Sequence, residues 1–160
     1  MTPTKAEARS LQLRAEDMFA RDMTCRGLGI EVGEVAPGRA SLRMRVTDSM
    51  VNGHGVAHGG YLFLLADAAF AYASNTHGPV ALAQSAQITF VRPAVIGDAL
   101  LAEAVERTRH GRVGLYDVTV RRADGPVVAE FRGHSAMVAG ARSLTALPAE
   151  GGPDDQSHRG

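Results

Sequence analysis

The segment Tyr61–Ser74 constrains the fold more than any other part of this 160-residue chain. Its side chains are apolar or small almost all round, which predicts a helix buried on every side rather than an amphipathic surface helix. Such a helix needs a surrounding layer. An antiparallel sheet curled around one central helix, an α+β arrangement, is the natural way to provide it.

Asp67 is the only carboxylate in this segment. A lone carboxylate in an apolar helix destabilises the folded state unless it is hydrogen-bonded, paired with a cation or shifted in pKa. Asp67 is therefore either a structural aspartate held by backbone donors or an arginine, or a catalytic carboxylate in a cleft. The pattern favours the catalytic interpretation.

A glycine-rich loop precedes the helix and contains most of the remaining candidate residues. At a helix start the backbone N–H groups have no internal partners, and the helix macrodipole is positive there. Such an end can bind an anion or a developing oxyanion, and glycines let a ligand approach the backbone closely. The loop residues of interest are Asn52, Gly53, His54, Gly55, His58, Gly59 and Gly60.

The spacing between Gly59 and Asp67 predicts an assembly. The two residues are eight positions apart, which corresponds to roughly 12 Å along a helix. No reacting atom can lie about 3 Å from both groups within one chain. If both serve one site, they come from two subunits whose helices run antiparallel across a two-fold axis. The spacing thus predicts a homodimer with two composite sites.

The composition excludes several classes of protein. Lys plus Arg and Asp plus Glu both number 17, so there is no basic excess to neutralise the phosphates of a nucleic acid. The single cysteine, Cys25, cannot form an internal disulfide. The first residues lack the apolar core of a signal peptide, and no apolar run reaches the ~18 residues of a membrane span. We therefore expect a cytoplasmic protein with neither a nucleic-acid partner nor a membrane partner.

The rest of the chain divides into a helix, six strands and a tail. Leu11, Ala15 and Met18 have helical spacing and predict a packing helix from about Lys5 to Met23 within an N-terminal segment, residues 1–26. Residues 27–139 form the main domain, and residues 140–160, rich in Gly, Pro, Ser and Asp, are expected to be a disordered tail. The predicted strands cover residues 30–35, 40–46, 80–91, 99–108, 113–122 and 127–138.

The segment NGHGVAHGGYLFLLADAAFAYASN resembles the hotdog-fold acyl-CoA thioesterases of the PaaI type. The resemblance is specific around HGG-x-x-F-x-L-A-D and extends from about Met18 to Met137. It implies the hotdog fold, dimers whose sheets join side by side, and a homotetramer of two such dimers. It also implies hydrolysis of acyl-CoA thioesters, with arylacyl substrates such as phenylacetyl-CoA or hydroxyphenylacetyl-CoA. Coenzyme A is then part of the substrate, and no separate cofactor is expected.

The resemblance also implies roles for four residues. Asp67 falls at the position of the catalytic carboxylate, which acts as a general base on water or as a nucleophile. Gly59 falls where a backbone N–H polarises the thioester carbonyl, and Asn52 where a side-chain amide positions the attacking water. His58 lies next to the oxyanion site. In this family the carboxylate faces the glycine loop of the other subunit, as the spacing argument requires.

Substrate contacts are expected from further residues, each with a simpler alternative. Arginines suit the phosphates of coenzyme A, but ordinary surface charge explains a turn arginine equally well. Aromatic side chains at helical spacing could line an acyl pocket, but they are more often core. The residues expected to contact substrate are Gly60, Phe63, Arg109, His110, Gly111 and Arg112, with Tyr61 and Phe70 as weaker candidates for the pocket.

Two features of the loop allow other interpretations. His54 and His58 have His-x3-His spacing, which can hold a metal when it lies on a helix. Glycines in and beside that span predict a loop, and no third ligand is evident, so no metal is expected. Asn52-Gly53 is also a strong turn signal, so Asn52 could be a turn residue.

Three functional interpretations remain open, two of them enzymes. The first is the thioesterase. The second is a hotdog dehydratase or hydratase, in which His58 would act with Asp67. The third is a non-catalytic acyl-CoA binding module. The HGG-x-x-F-x-L-A-D arrangement favours the thioesterase over the hydratase. A binding module would gain nothing from an ionisable group in its buried helix, which argues against the third interpretation.

Overall fold

The computed structural model describes residues 2–123 and 125–140. These residues form three α-helices, two 3₁₀ turns and six β-strands. The helices are α1 (Lys5–Arg21), α2 (Met23–Gly27) and α3 (Gly59–Ser74), with 3₁₀ turns at Asp48–Met50 and Asn75–His77. The strands are β1 (Glu31–Ala36), β2 (Arg39–Arg45), β3 (Ala81–Phe90), β4 (Ala99–His110), β5 (Val113–Arg122) and β6 (Val127–Met137). Apart from Gly140, the predicted tail lies outside the described residues.

The six strands form one antiparallel sheet in the order β1-β2-β4-β5-β6-β3. Helix α3 packs against one face of this sheet and contacts every strand. The predicted sheet around one central helix is therefore confirmed. No helix among the described residues is long and apolar enough to cross a membrane.

Strand β2 shows how the local pattern determines which face is buried. Leu42 and Met44 point into the core and are almost fully buried, whereas Arg43 and Arg45 between and after them are exposed. This alternation has the period of two that a strand requires. The predicted inward face of β2 is confirmed.

A glycine lets α3 approach the sheet closely. The ring of Phe70 on α3 lies edge-on to Tyr116, with centroids 5.5 Å apart, and 5.8 Å from the ring of Phe131. A Cβ atom on Gly133 of β6 would lie only 2.9 Å from the Cζ atom of Phe70. The absence of a side chain at Gly133 therefore makes room for the helix.

The N-terminal segment departs from the predicted single helix. Asp22 ends α1, and its carboxylate accepts the backbone N–H of Cys25, which caps α2. An aspartate at such a boundary competes for backbone donors and starts a new helix. Met23, the predicted end of the packing helix, is consequently 70% exposed. Ala15 and Cys25 belong to the same hydrophobic core as α3.

The prediction that α3 is buried on every side was wrong for one stripe. Gly60, Phe63, Leu64, Asp67 and Ala71 follow the i, i+3, i+4, i+7, i+11 spacing of one helix face and stay partly or fully accessible in the single chain. The helix also begins two residues earlier than predicted, at Gly59. Apolar side chains can be covered by a second chain or a ligand as well as by their own sheet, so composition alone did not reveal this open stripe.

Substituting Gly133→Ala tests the close approach of α3. The added methyl group meets Phe70 and Phe131, which are buried and cannot move aside, so we expect the free energy of unfolding to fall by about 1–3 kcal/mol. Urea denaturation followed by circular dichroism measures this change. Gly27→Ala is the control, because nothing lies within 4 Å of its added methyl group. Equal losses in both variants would contradict the packing argument.

Candidate active site

Asp67 lies at the middle of the open stripe on α3. Its carboxylate is partly buried and has no hydrogen-bond or ion-pair partner among the described residues. Burial raises the pKa of the Asp67 carboxyl above its ordinary value. The structure thus gives Asp67 neither the backbone donors nor the arginine that a structural role requires, and leaves an accessible proton acceptor.

The N-terminus of α3 presents free backbone donors. Gly59 and Gly60 are the first two residues of the helix, and their N–H groups meet no acceptor in the part of the chain that the structure describes. His58 occupies the N-cap position but makes no side-chain capping bond, and it is exposed. This positive helix end is therefore available to an oxyanion.

Asn52 builds the loop before the helix. Its Oδ1 atom accepts the backbone N–H of His54 at 2.9 Å and that of Val56 at 3.2 Å. Its backbone N–H also donates to the carbonyl of Val56 at 2.8 Å. The carbonyl end of the Asn52 side chain thus has a turn role, and its amide Nδ2 donates to no atom of the described residues.

Two backbone hydrogen bonds anchor the end of this loop. The N–H of Ala57 donates to the carbonyl of Ala94, and the N–H of His58 donates to the carbonyl of Met50, each at 2.8 Å. Ala94 and Met50 are both buried. The helix start is therefore fixed relative to the core before any ligand binds.

The structure adds one residue that the sequence did not single out. Phe90, the last residue of β3, lies against Gly59, and a Cβ atom on Gly59 would be 2.6 Å from the Cζ atom of Phe90. The Phe90 side chain is nevertheless 51% exposed. In the sequence, Phe90 is recognisable only as an aromatic residue near the end of a predicted strand. The pairing of β3 with β6 determines where that end lies in the fold.

The aromatic candidates separate into core and site. Phe70 is fully buried and belongs to the core. Phe63 lies on the open stripe one turn before Asp67 and also packs edge-on against Phe131, with centroids 5.4 Å apart. Phe63 is therefore the better candidate for a wall of the site.

The hairpin between β4 and β5 lies far from the helix start in the same chain. His77, just after α3, hydrogen-bonds through Nε2 to Glu106 at 2.5 Å, which places the hairpin at the C-terminal end of the helix. That end is roughly 24 Å from Gly59 for a helix of this length. Residues 109–112 are exposed, and Arg112 donates two hydrogen bonds to the carbonyl of Met137. One chain therefore does not bring this hairpin to Gly59, and no hydrogen bond or ion pair of the described residues joins it to Asp67.

Comparison with known proteins identifies the family. A family model described as "Thioesterase superfamily" matches residues 54–129, which include the helix start and Asp67. The chain is 41% identical over 126 residues to the acyl-coenzyme A thioesterase PaaI of Escherichia coli (strain K12), and this match covers 79% of the chain and 90% of that protein. The chain belongs to the thioesterase superfamily.

Solved structures agree with this membership. The E. coli PaaI protein from the phenylacetic acid degradation operon superposes with a TM-score of 0.82 at 39% identity, covering 84% of this chain and 97% of that one. A Streptococcus mutans UA159 protein bound to acetyl CoA superposes with a TM-score of 0.67 at 25% identity, and the match covers 71% of this chain and 91% of that one. The predicted hotdog fold and the predicted thioesterase class of enzyme are confirmed, against the hydratase and binding-module alternatives.

Other nucleophiles in this thioesterase are poorly placed. Cys25 is 2% exposed, and burial, with a smaller effect of Asp22, raises the pKa of its thiol to about 12. The Oγ atom of Ser85 lies 3.0 Å from the Nδ1 atom of His134. That pair lies on the outer face of the sheet, because the neighbouring Gly133 faces α3. Neither side chain offers an activated nucleophile on the open stripe.

The histidine pair in the loop does not have metal-binding geometry. Residues 54–58 precede α3 and are not helical, so His54 and His58 do not lie one turn apart on a helix. Within residues 2–123 and 125–140, no group of three or more His, Cys, Asp or Glu side chains lies together as a metal site requires.

Two substitutions separate the turn role of Asn52 from a catalytic role. Asn52→Asp keeps an oxygen for the two loop N–H groups and removes the amide donor, whereas Asn52→Ala removes both. We expect only Asn52→Ala to lower the Tm, by a few degrees, because it leaves two backbone donors unpaired. We expect both variants to lose thioester hydrolysis, by about 10²-fold. Wild-type activity in Asn52→Asp would restrict Asn52 to the turn.

Proposed function

We propose that this thioesterase hydrolyses arylacyl-CoA thioesters, such as phenylacetyl-CoA or hydroxyphenylacetyl-CoA, to the free acid and coenzyme A. One observation carries the proposal. Among the described residues, the partly buried carboxylate of Asp67 has no partner, and it shares an open helix stripe with backbone donors that have no acceptor. The E. coli relative is an acyl-coenzyme A thioesterase, and the Streptococcus mutans protein was solved bound to acetyl CoA, which supports an acyl-CoA substrate. The operon of the E. coli protein supports an arylacyl group.

The chemistry needs only groups of the chain and water. Asp67 accepts a proton from a water molecule as that water attacks the thioester carbonyl carbon. The N–H of Gly59 donates a hydrogen bond to the carbonyl oxygen, which becomes an oxyanion at the positive end of α3. The carbon–sulfur bond then breaks, and the thiolate of coenzyme A takes up the proton that Asp67 had accepted, so that coenzyme A leaves as its thiol. Coenzyme A is part of the substrate and acts as no separate cofactor.

The two groups come from different chains in this proposal. Gly59 and Asp67 are roughly 12 Å apart along α3, too far for one thioester to contact both. If the helices of two copies run antiparallel, with Gly59 of each opposite Asp67 of the other, the two-fold axis passes midway, at Phe63. A homodimer then has two equivalent sites, and Phe63 forms part of the wall of both.

The open surfaces of the chain support this homodimer. The accessible stripe of α3 includes Gly60, whose N–H, like that of Gly59, has no acceptor in the described part of the chain. His58 lies next to these two donors. Strand β3 lies at the edge of the sheet, and most of its residues are exposed. A second copy that paired along β3 would cover the edge and the stripe together.

The same symmetry assigns a role to the β4–β5 hairpin. In antiparallel helices the C-terminal end of one lies beside the N-terminal end of the other. The hairpin of one copy, residues 109–112, therefore approaches the oxyanion donors of the second copy. The Arg109 guanidinium is 3.9 Å from the nearest Glu106 carboxylate oxygen, so it has donors left for the coenzyme A phosphates, together with His110, Gly111 and Arg112. The homotetramer stays a prediction of the resemblance, and the cytoplasmic location stays a prediction of the sequence composition.

The variant Asp67→Asn tests the base. It preserves shape but removes proton acceptance, so we expect kcat to fall by about 10²-fold or more for phenylacetyl-CoA and acetyl-CoA. Release of the coenzyme A thiol measures the rate. Because only the ionised carboxylate is active, the wild-type rate should fall at acidic pH, with a midpoint above the ordinary Asp pKa of about 4. Asp17→Asn, an exposed carboxylate on α1, is the control. Equal rates in wild type and Asp67→Asn would refute this mechanism.

Two substitutions of Gly59 test the oxyanion donor. Gly59→Pro deletes the N–H at the first helical position, where proline fits, and the extended His58 tolerates a following proline. Gly59→Ala adds the same Cβ atom but keeps the N–H. We expect kcat of Gly59→Pro to lie about 10²-fold below that of Gly59→Ala. Similar rates in the two variants would rule out this donor.

Mixing two inactive variants tests the composite site. Co-expressed Asp67→Asn and Gly59→Pro chains form mixed dimers that have one site with both groups intact. Random assortment makes half of the dimers mixed, so we expect about a quarter of wild-type activity. Sites formed within single chains would recover nothing on mixing.

A further inference from the structure

Phe90 is an exposed aromatic side chain whose position the folding of one chain does not explain. It ends β3, which lies at the edge of the sheet, and half of its surface remains accessible. Its strand neighbour Ile88 pairs with Phe131, whose ring packs on α3, so Ile88 and Phe90 share the face directed at the helix. Phe90 therefore lies on the sheet face directed at α3, but the described residues leave half of its apolar surface exposed.

The ring points end-on at the start of α3. The position of a Cβ atom on Gly59 is 2.6 Å from the Cζ atom of Phe90 and 3.1 Å from each Cε atom. The ring tip therefore touches the residue whose N–H group has no acceptor in the described residues. An acyl carbonyl that accepts this N–H would have its substituent beside the Phe90 ring.

We propose that Phe90 is a specificity-determining residue that selects arylacyl groups by packing against them next to the Gly59 donor. The assignment rests on the proposed function. An aromatic ring buries a large apolar area and prefers edge-on or offset contact with another ring, which an acetyl group cannot supply. The ring also displaces water beside the Gly59 N–H and so strengthens its hydrogen bond to the carbonyl oxygen.

The test compares two thioesters on the same protein. The measured quantity is kcat/KM for phenylacetyl-CoA divided by kcat/KM for acetyl-CoA, which does not depend on the number of active sites. We expect Phe90→Ala to lower this ratio about tenfold and Phe90→Leu to lower it less. Val91→Ala is the matched control, since Val91 is the next residue and is equally exposed, but its atoms are not among those nearest to a Cβ atom on Gly59. It should leave the ratio within about twofold of wild type.

A second variant displaces the same ring without deleting it. Gly59→Ala keeps the N–H, but its methyl group occupies the place of the Phe90 ring tip. Because Phe90 is half exposed, the ring can turn away, so we expect the ratio to fall in the same direction as in Phe90→Ala. The double variant should fall no further than Phe90→Ala, because both changes remove one contact.

The outcomes separate this inference from the function on which it rests. An unchanged ratio in Phe90→Ala, with hydrolysis intact, would overturn the role of Phe90 and leave the proposed function standing. A double variant that falls by the product of the two single effects would also overturn it, because the ring would not be the shared cause. A wild-type protein that releases coenzyme A from neither thioester would overturn the proposed function and this inference together.

Discussion

The burial of α3 is the constraint on which the rest of the structure depends. A helix with so few polar side chains is unstable in water, and the antiparallel sheet buries most of its apolar surface. Gly133 allows the approach, and Phe70 fills the space between helix and sheet. The same rigid helix carries Asp67 and begins at Gly59, so the packing that makes the core also positions the candidate catalytic groups.

The helix contains an electrostatic conflict that suits catalysis. Burial raises the pKa of Asp67, which means that the folded state holds the proton more tightly than the unfolded chain. Ionised Asp67 therefore destabilises the fold at neutral pH, and this cost disappears at pH values below the unfolded pKa. A carboxylate with a raised pKa is also a stronger base toward water. The backbone N–H groups of Gly59 and Gly60 also lower the stability of the folded state, because no described side chain caps them. In most helices a side chain accepts a hydrogen bond from one of the first N–H groups.

The fold was largely predictable because its local patterns agree with its tertiary contacts. The alternation in β2, the composition of α3 and the turn at Gly111, which has a φ of +58°, each point to the observed structure. Asp67 and Gly59 could be singled out as the one carboxylate and the loop end of that helix. The open stripe could not, because an apolar residue such as Leu64 has the same composition signal whether its own sheet or a second chain covers it. Phe90 could not either, because its contact with Gly59 depends on the register of β3 against β6, a pairing between distant segments.

The two edges of the sheet are protected to very different degrees. β1 is short, carries Glu31 and Glu34, has an irregular register against β2 and is packed on by α1, all of which discourage further strands from adding. β3 has ten residues and no charged side chain, so an uncovered β3 edge would favour the addition of further strands and aggregation. In the proposed homodimer, pairing across a two-fold axis would cover both copies of this edge and end the growth of the sheet. If the proposed homodimer forms, dimerisation would protect the protein from aggregation in the same step that completes the proposed active sites.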